Sequence, residues 1–255
     1  MELSYSQYQR IADCFPRQRG NVGLDNLSVL NAILYVAENG CKWRSLPADF
    51  GNWHTIYTRM SRWSKAGVLD RVFATLQQHQ ILAVSDVLSL DSTSVKVHPD
   101  GTGAFKKHGP QSIGQSRGGH NTKIHLVAAS DRTAIAFSLS AGQRHDAPEG
   151  RKLIEQLEAN VSCSLLMDRA YEDDKTRALA VKQGFSPVVS PKRNRHEPWE
   201  YDKELYKRRN EVERLFRRIK RFRMVFTHYE KLDRMFWTFL LIALIMDASN
   251  SANRT

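Results

Sequence analysis

Three acids set far apart in the chain, Asp91, Asp168 and Glu213, are the residues whose types and placement suggest chemistry. Each sits where an acid needs a reason. Asp91 interrupts VLSLDSTSVKVH, an alternating run rich in β-branched residues, and a carboxylate inside a strand requires a partner, an ion or a solvent-facing cleft. Asp168 follows Leu165, Leu166 and Met167 at the carboxyl end of an apolar strand, which is where open α/β sheets place their ligands. Glu213 is the only acid on a helical stripe of Tyr206, Arg209, Glu213, Arg217 and Lys220, spaced by three, four, four and three; Glu211 lies off it. Brought to one point, three carboxylates can hold two divalent metals about 3.5 to 4 Å apart, which clamp the attacking and leaving oxygens of an in-line phosphoryl displacement. Asp146 competes for a place in such a set, although a helix start explains it.

The elements that must position these acids are legible in the spacing. Leu205, Val212, Phe216 and Ile219 recur at seven, four and three, so Tyr201–Arg223 reads as one long amphipathic helix docked on a core. Between Lys203 and Arg223 ten Lys or Arg face three Glu, the footprint expected of a partner with a phosphate backbone. Residues 87–98, KIHLVAAS and AIAFSLSAG give three strands as a meander. Asp146, with Pro148 and Glu149, predicts a capped helix to about Asn160, and Glu172, Asp173 and Asp174 suit the first turn of a helix ending at Gly184. SPVVSPK is a further strand, and the uncharged run at 236–246 closes the core. The fold class is α/β: a mixed five-stranded sheet with helices on both faces, residues 83–255, preceded by an all-helical domain, residues 1–82.

In that helical part Asp25 or Asn26 caps a helix that Gly40 ends, and after CKWRSLPADFG a helix over 53–65 turns Ile56, Met60 and Trp63 inward and Thr58, Arg59 and Arg62 outward. Two helices so joined, the second basic outside, resemble a helix-turn-helix reader of DNA. Trp43, Trp53 and Trp63 read as core anchors. Residues 99–122 hold six glycines with Lys106, Lys107 and Arg117 and no apolar period, which predicts a flexible basic loop ordered by DNA. His120 and His125 read as hydrogen-bonded rather than metal-bound.

With 255 residues, 41% of them hydrophobic, and a formal charge of +11, the chain has the makeup of a soluble globular protein with an anionic partner. The start, MELSYSQYQR, carries no signal-type apolar run, and Met235–Met246 is short for a bilayer span, so a cytoplasmic protein is expected. Cys14, Cys41 and Cys163 form no CxxC pair and read as reduced core residues.

These segments resemble bacterial insertion-sequence transposases of the Asp-Asp-Glu class, close to the insertion-sequence-five group. The resemblance rests on VLNAILYVAENGCKWRSLPADFGNW in the first part, and on LDSTSVKVH, SRGGHNTKIH, AGQRHDAP, LLMDRAY and RNEVERLFRRIK in the second. The spacing Tyr206, Arg209, Glu213, Lys220 is similar to that family's signature. The resemblance implies a ribonuclease-H-like core with Asp91, Asp168 and Glu213 as catalytic metal ligands. It further implies two Mg2+ per site, replaceable by Mn2+, and DNA contacts from Tyr206, Arg209 and Lys220. The implied activity is cutting the element's ends and joining the 3′-hydroxyl to target double-stranded DNA, as a homodimer on the DNA. A ribonuclease-H-like nuclease or resolvase that does not join strands, or a non-catalytic helix-turn-helix repressor, are the alternatives that the residues leave open.

Overall fold

A computed structural model describes residues 1–18, 23–81, 86–157 and 163–251. By its internal contacts the chain forms two compact units, one of residues 1–79, 97–111 and 218–255, the other of 80–96 and 112–217. This division is not the sequential one at 82/83, a boundary that falls outside the described residues. Among those residues no helix is long and apolar enough to cross a membrane.

The first unit contains the helices α1 (Tyr5–Gln9), α2 (Asn26–Asn39), α3 (Trp53–Lys65) and most of α4 (Val68–Ile81). Asp25 caps α2 by accepting from the Ser28 N–H, and Gly40, at φ 64°, ends it. Ile56, Met60 and Trp63 are buried as the periodicity requires. The connection from α2 to α3 runs through two 3-10 turns, Trp43–Ser45 and Ala48–Phe50. It is therefore far longer than the three or four residues of a helix-turn-helix.

The second unit is built on a mixed sheet. Its strands are β1 (Val87–Val97), β2 (Gly114–Ser116), β3 (Gly119–Ala128), β4 (Ala134–Ala141), β5 (Cys163–Met167) and β6 (Phe185–Val189). The antiparallel meander β4–β3–β1 continues into the parallel pair β5–β6, with β1 and β5 parallel at the centre. Helices α5 (Asp146–Glu155) and α6 (Asp174–Lys182) supply Leu153, Ile154 and Ala180 to a core with Leu88, Leu90, Leu165 and Met167. The opposite face buries Val87, Leu166 and Val188 against Tyr201, Leu205 and Tyr206. Helices thus cover both faces, as expected of a ribonuclease-H-like core. The five main strands are those read from the sequence, and the short β2 is additional. Residues 99–122, read as one loop, instead hold two 3-10 turns, Pro99–Gly101 and Lys106–His108, and the β2–β3 hairpin.

The long helix over Tyr201–Arg223 is not continuous. It consists of α7 (Lys203–Tyr206), a 3-10 turn at Lys207–Arg209, α8 (Asn210–Ile219) and α9 (Arg223–Phe226). Val212, Phe216 and Ile219 on α8 are buried and Leu205 on α7 is partly buried, so apolar residues pack inward on both sides of the break. A 3-10 turn advances each residue about 120° instead of 100°, so three such residues rotate α8 by roughly 60° relative to α7. Strand β7 (Thr227–His228) leads to α10 (Asp233–Ser251). Contacts assign α10 to the helical unit, with Phe236, Phe239 and Leu240 fully buried, rather than to the core beside the sheet that its place in the chain suggests.

Candidate active site

Strand register explains why the first two acids meet. In the parallel pair Leu90 lies opposite Met167, so Asp91 and Asp168 are the next residues along on neighbouring central strands. Side chains alternate along a strand. Leu88 and Leu90 enter the core under α5 and α6, which turns Val87 and Asp91 to the face that buries Leu166 and Tyr206. Asp168 leaves β5 in an extended conformation and accepts from the Ala170 N–H at 3.4 Å, capping the 3-10 turn Arg169–Tyr171. Across that same face α7, the 3-10 turn after it and α8 carry Tyr206, Arg209 and Glu213 in turn.

Arg209 ties the site together. Its guanidinium donates to Asp91 Oδ2 at 2.6 Å and to Glu213 Oε1 at 2.7 Å, so one fork bridges a strand and a helix. The second contact is an i,i+4 pair on the helix. Asp91 is the more buried acid, with 14% of its side chain exposed against 42% for Glu213. Burial pushes the Asp91 carboxyl up to about 6, opposed by Arg209 and by the Ser92 N–H, while the fields of Asp168 and Glu213 add to the rise. Burial lowers the Arg209 pKa, but Asp91, Asp168 and Glu213 together outweigh it and leave the guanidinium more firmly charged than usual. Three carboxylates from β1, the end of β5 and α8 therefore act on one cation. Tyr206 packs beside them, its ring 5.9 Å from the Arg209 guanidinium carbon.

These residues supply the hard oxygen donors that Mg2+ prefers, and their common field is one that a cation relieves. As they stand, with Arg209 between two of them, no group of three His, Cys, Asp or Glu among the described residues is gathered closely enough to hold a metal ion. The donor set fits such an ion in kind, and Arg209 is the charge it would have to displace.

The other sequence-predicted residues lie in varied surroundings. Asp146 does not cap its helix: His145 is the N-cap, without a side-chain bond, and Asp146 instead accepts from Lys123 Nζ at 2.8 Å. Arg217 is exposed on α8, and Lys220, half-buried after it, belongs by contacts to the helical unit. Arg117 is exposed at the β2–β3 turn, and Lys107 and Arg62 are exposed in the helical unit. Arg59 is turned inward enough to donate to the Leu24 carbonyl at 2.8 Å. The Lys106 side chain lies outside the described residues. His125 is buried and bonded to Ser140 Oγ at 2.8 Å, a structural role. Cys14 and Cys41 are half-buried rather than core, and none of the three cysteines is joined in a disulfide.

Sequence reasoning missed Tyr171. It is fully buried, and burial raises its pKa well above 10, with the fields of Asp146, Asp91 and Asp168 adding to the shift. It underlies the acids, and its ring lies where a Cβ on Gly150 would come within 2.4 Å of Cε1. Only the run LLMDRAY offered a hint, as an aromatic following the acid. The Arg209 bridge had a clearer signal, since Arg209 and Glu213 stand at i,i+4.

Two family descriptions match this chain. Residues 3–73 match a putative transposase of the IS4/5 family, and residues 83–246 match the transposase DDE domain. The chain belongs to the DDE transposases. It is 34% identical over 110 residues to the uncharacterized protein y4sN of Sinorhizobium fredii, covering 42% of this chain and 86% of that protein. Over 66 residues it is 38% identical to an uncharacterized 16.2 kDa protein of insertion element IS402 from Burkholderia cepacia, covering 24% of this chain and 45% of that one. Among solved structures the piggyBac transposase synaptic complex with hairpin DNA superposes with a TM-score of 0.50 at 10% identity, covering 95% of this chain and 69% of that one. At that identity the likeness concerns the fold. Membership of the DDE transposases makes the function that of a transposase and the enzyme one of the nuclease and transferase kind.

Proposed function

We propose that this DDE transposase cuts double-stranded DNA at the ends of an insertion sequence and joins the freed 3′-hydroxyl to target DNA, using Asp91, Asp168 and Glu213. The observation that carries this reading is the single guanidinium bridging Asp91 and Glu213 beside Asp168, since it makes one centre of acids from three separate elements. These three carboxylates would hold Mg2+, or Mn2+ in its place, which when bound supplies charge stabilisation to phosphoryl transfer. Asp91 and Asp168 hold their positions through the β1–β5 register, while Glu213 rides on α8 and can adjust. Arg209 answers to two kinds of anion. In the free chain it neutralises the carboxylates, and on DNA it turns to a phosphate beside the cut strand, with Tyr206 packed against it and Lys220 further along the chain. The exposed Arg62, Lys107, Arg117 and Arg217 supply phosphate contacts that are indifferent to sequence, with Arg59 and Lys106 alongside. Residues 1–82 recognise the element end, residues 83–255 carry the chemistry, and two copies pair on DNA to bring two ends together.

The test is incubation of the chain with a labelled element end, unlabelled target and Mg2+, followed by mapping of the products. Strand-transfer products are expected. Cutting without joining would leave a nuclease or resolvase, and metal-independent binding with no cutting would leave a repressor.

A further inference from the structure

One cleft of the helical unit is walled by aromatic rings from separate pieces of chain. Trp43 comes from its 3-10 turn, Trp53 and Tyr57 from the start of α3, Phe105 and His108 from around the 3-10 turn Lys106–His108, and Tyr229 from the segment after β7. The space they enclose, about 590 Å3, is the size of a small-ligand pocket. Packing does not account for these rings. Of the three tryptophans read as core anchors only Trp63 is buried; Trp43 and Trp53 are half-buried, and Phe105 is 70% exposed. Trp43 is braced from behind by Phe239 at 6.2 Å and from the side by Tyr57 at 5.3 Å, so the wall is stiff on that side.

The polar groups around the cleft form a pattern. The Trp43 indole N–H is buried and stands near enough to the Glu230 carboxyl to favour its charged form. Two acids, Asp100 and Glu230, and one cation, Lys231, line the space. Outside it, Arg44 lies over the Trp53 ring at 5.7 Å and Lys107 over the Phe105 ring at 5.6 Å. Flat apolar walls, polar groups inside, and cations lying over two of the wall rings are complementary to a planar ring with a polar edge attached to a phosphate backbone.

We propose that this cleft takes an unpaired nucleobase of a DNA strand, stacked on Phe105 and Trp53, with the neighbouring phosphates held by Arg44 and Lys107. The proposal rests on the reading of the chain as a DNA-cutting enzyme, but it concerns a different set of residues from the acids. It makes the helical unit a reader of unpaired strand, such as a frayed or opened element end, in addition to duplex.

The test uses the full chain and tryptophan emission as the readout, with a short oligothymidylate and a blunt duplex as probes. Phe105 is exposed, so Phe105→Ala leaves the fold intact. Loss of one stacked base is expected to weaken oligothymidylate binding between roughly 5- and 150-fold while leaving the blunt duplex unchanged. Phe105→Tyr, which keeps a stacking face, should restore binding. An equal loss on both probes, or no loss on either, overturns the cleft while leaving salt-dependent duplex binding, and with it the enzyme reading, in place. If neither probe binds, both readings fall. Thymidine monophosphate saturating the emission change as tightly as the oligonucleotide would make this a mononucleotide site and overturn the strand proposal.

Discussion

The acid site and the aromatic cleft solve opposite problems. At the sheet, polar groups are drawn into a half-buried place and satisfied there: Asp91 and Glu213 share Arg209, and Asp168 accepts a backbone N–H. In the helical unit, apolar rings are left at the surface and a buried indole N–H has only the Glu230 carboxyl beside it. The first arrangement is closed by the protein's own charges, and a partner must compete with Arg209. The second is open to solvent, where a partner competes only with Arg44 and Lys107, which lie over the Trp53 and Phe105 rings. Activity should therefore be sensitive to single atoms at the sheet and to ring area at the cleft.

The largest effect that would break this contrast is expected at the acids. Asp91→Asn keeps shape and removes charge, and should reduce DNA cutting by about 10²- to 10³-fold or more, with little loss of duplex affinity. Glu213→Gln should behave alike and Glu211→Gln should cut nearly normally, each scored by mapped products. An inactive Glu211→Gln beside a competent Glu213→Gln would place the site on the wrong side of α8. Next in size is Gly150→Ala. The added methyl would meet Tyr171 at 2.4 Å and Leu90 at 3.2 Å, both part of the packed base beneath the acids. A loss of about 1–3 kcal/mol is expected in denaturant melts, typical of overpacking. Unchanged stability would show that Tyr171 has room to move.

How much of this is legible in the sequence depends on whether neighbours in the chain or neighbours in space decide. The strand through Asp91, the apolar run stopping at Asp168 and the stripe of Val212, Phe216 and Ile219 are local signals, and each survives in the structure, although β1 is buried on both faces from Val87 to Leu90 and loses the alternation there. The 3-10 break at Lys207–Arg209 leaves no such signal, because the three cations are ordinary helix formers. Nor can spacing give Lys123 as the partner of Asp146, since that contact joins a strand and a helix start. Trp43 and Trp53 read as core because tryptophan is usually well buried, and only the fold puts them beside Phe105.

A smaller change sharpens the contrast from the side of the closed site. Arg209→Ala removes the competing charge, so binding of Mn2+ to the free chain, followed by its electron spin resonance signal, should tighten by about tenfold. That is the scale of a hydrogen bond between charged groups. Cutting should nevertheless fall, since Arg209 is also proposed to hold a phosphate. Weaker Mn2+ binding in this variant would mean that the guanidinium orders the acids rather than competing for them.

The smallest effect is a pH dependence, and it separates two buried groups near the open cleft. Burial pushes the Glu230 carboxyl from 4.5 up to about 7, while Trp43 lowers it in part. Its stabilising contribution is therefore present below 4.5 and is lost as pH rises through 7. Burial lowers His228 from 6.5 to about 4, offset in part by the hydrogen bond that its ring donates to the Glu230 backbone. Its contribution has the opposite sign: it is present above 6.5 and lost as pH falls through 4. Between pH 4.5 and 6.5 the folded chain holds about one extra proton at Glu230 and lacks about one at His228, so the slopes of these two groups oppose, while Asp91, raised to about 6, adds a fall. Above 6.5 only Glu230 still titrates, and a slight fall is expected. Glu230→Gln removes one side of this balance: relative to the unchanged chain, its melting temperature should fall less, or rise more, between pH 4.5 and 7. A profile parallel to that of the unchanged chain would mean that Glu230 is hydrated in the folded state, and that the cleft offers a bound base a charged acceptor rather than a neutral acid.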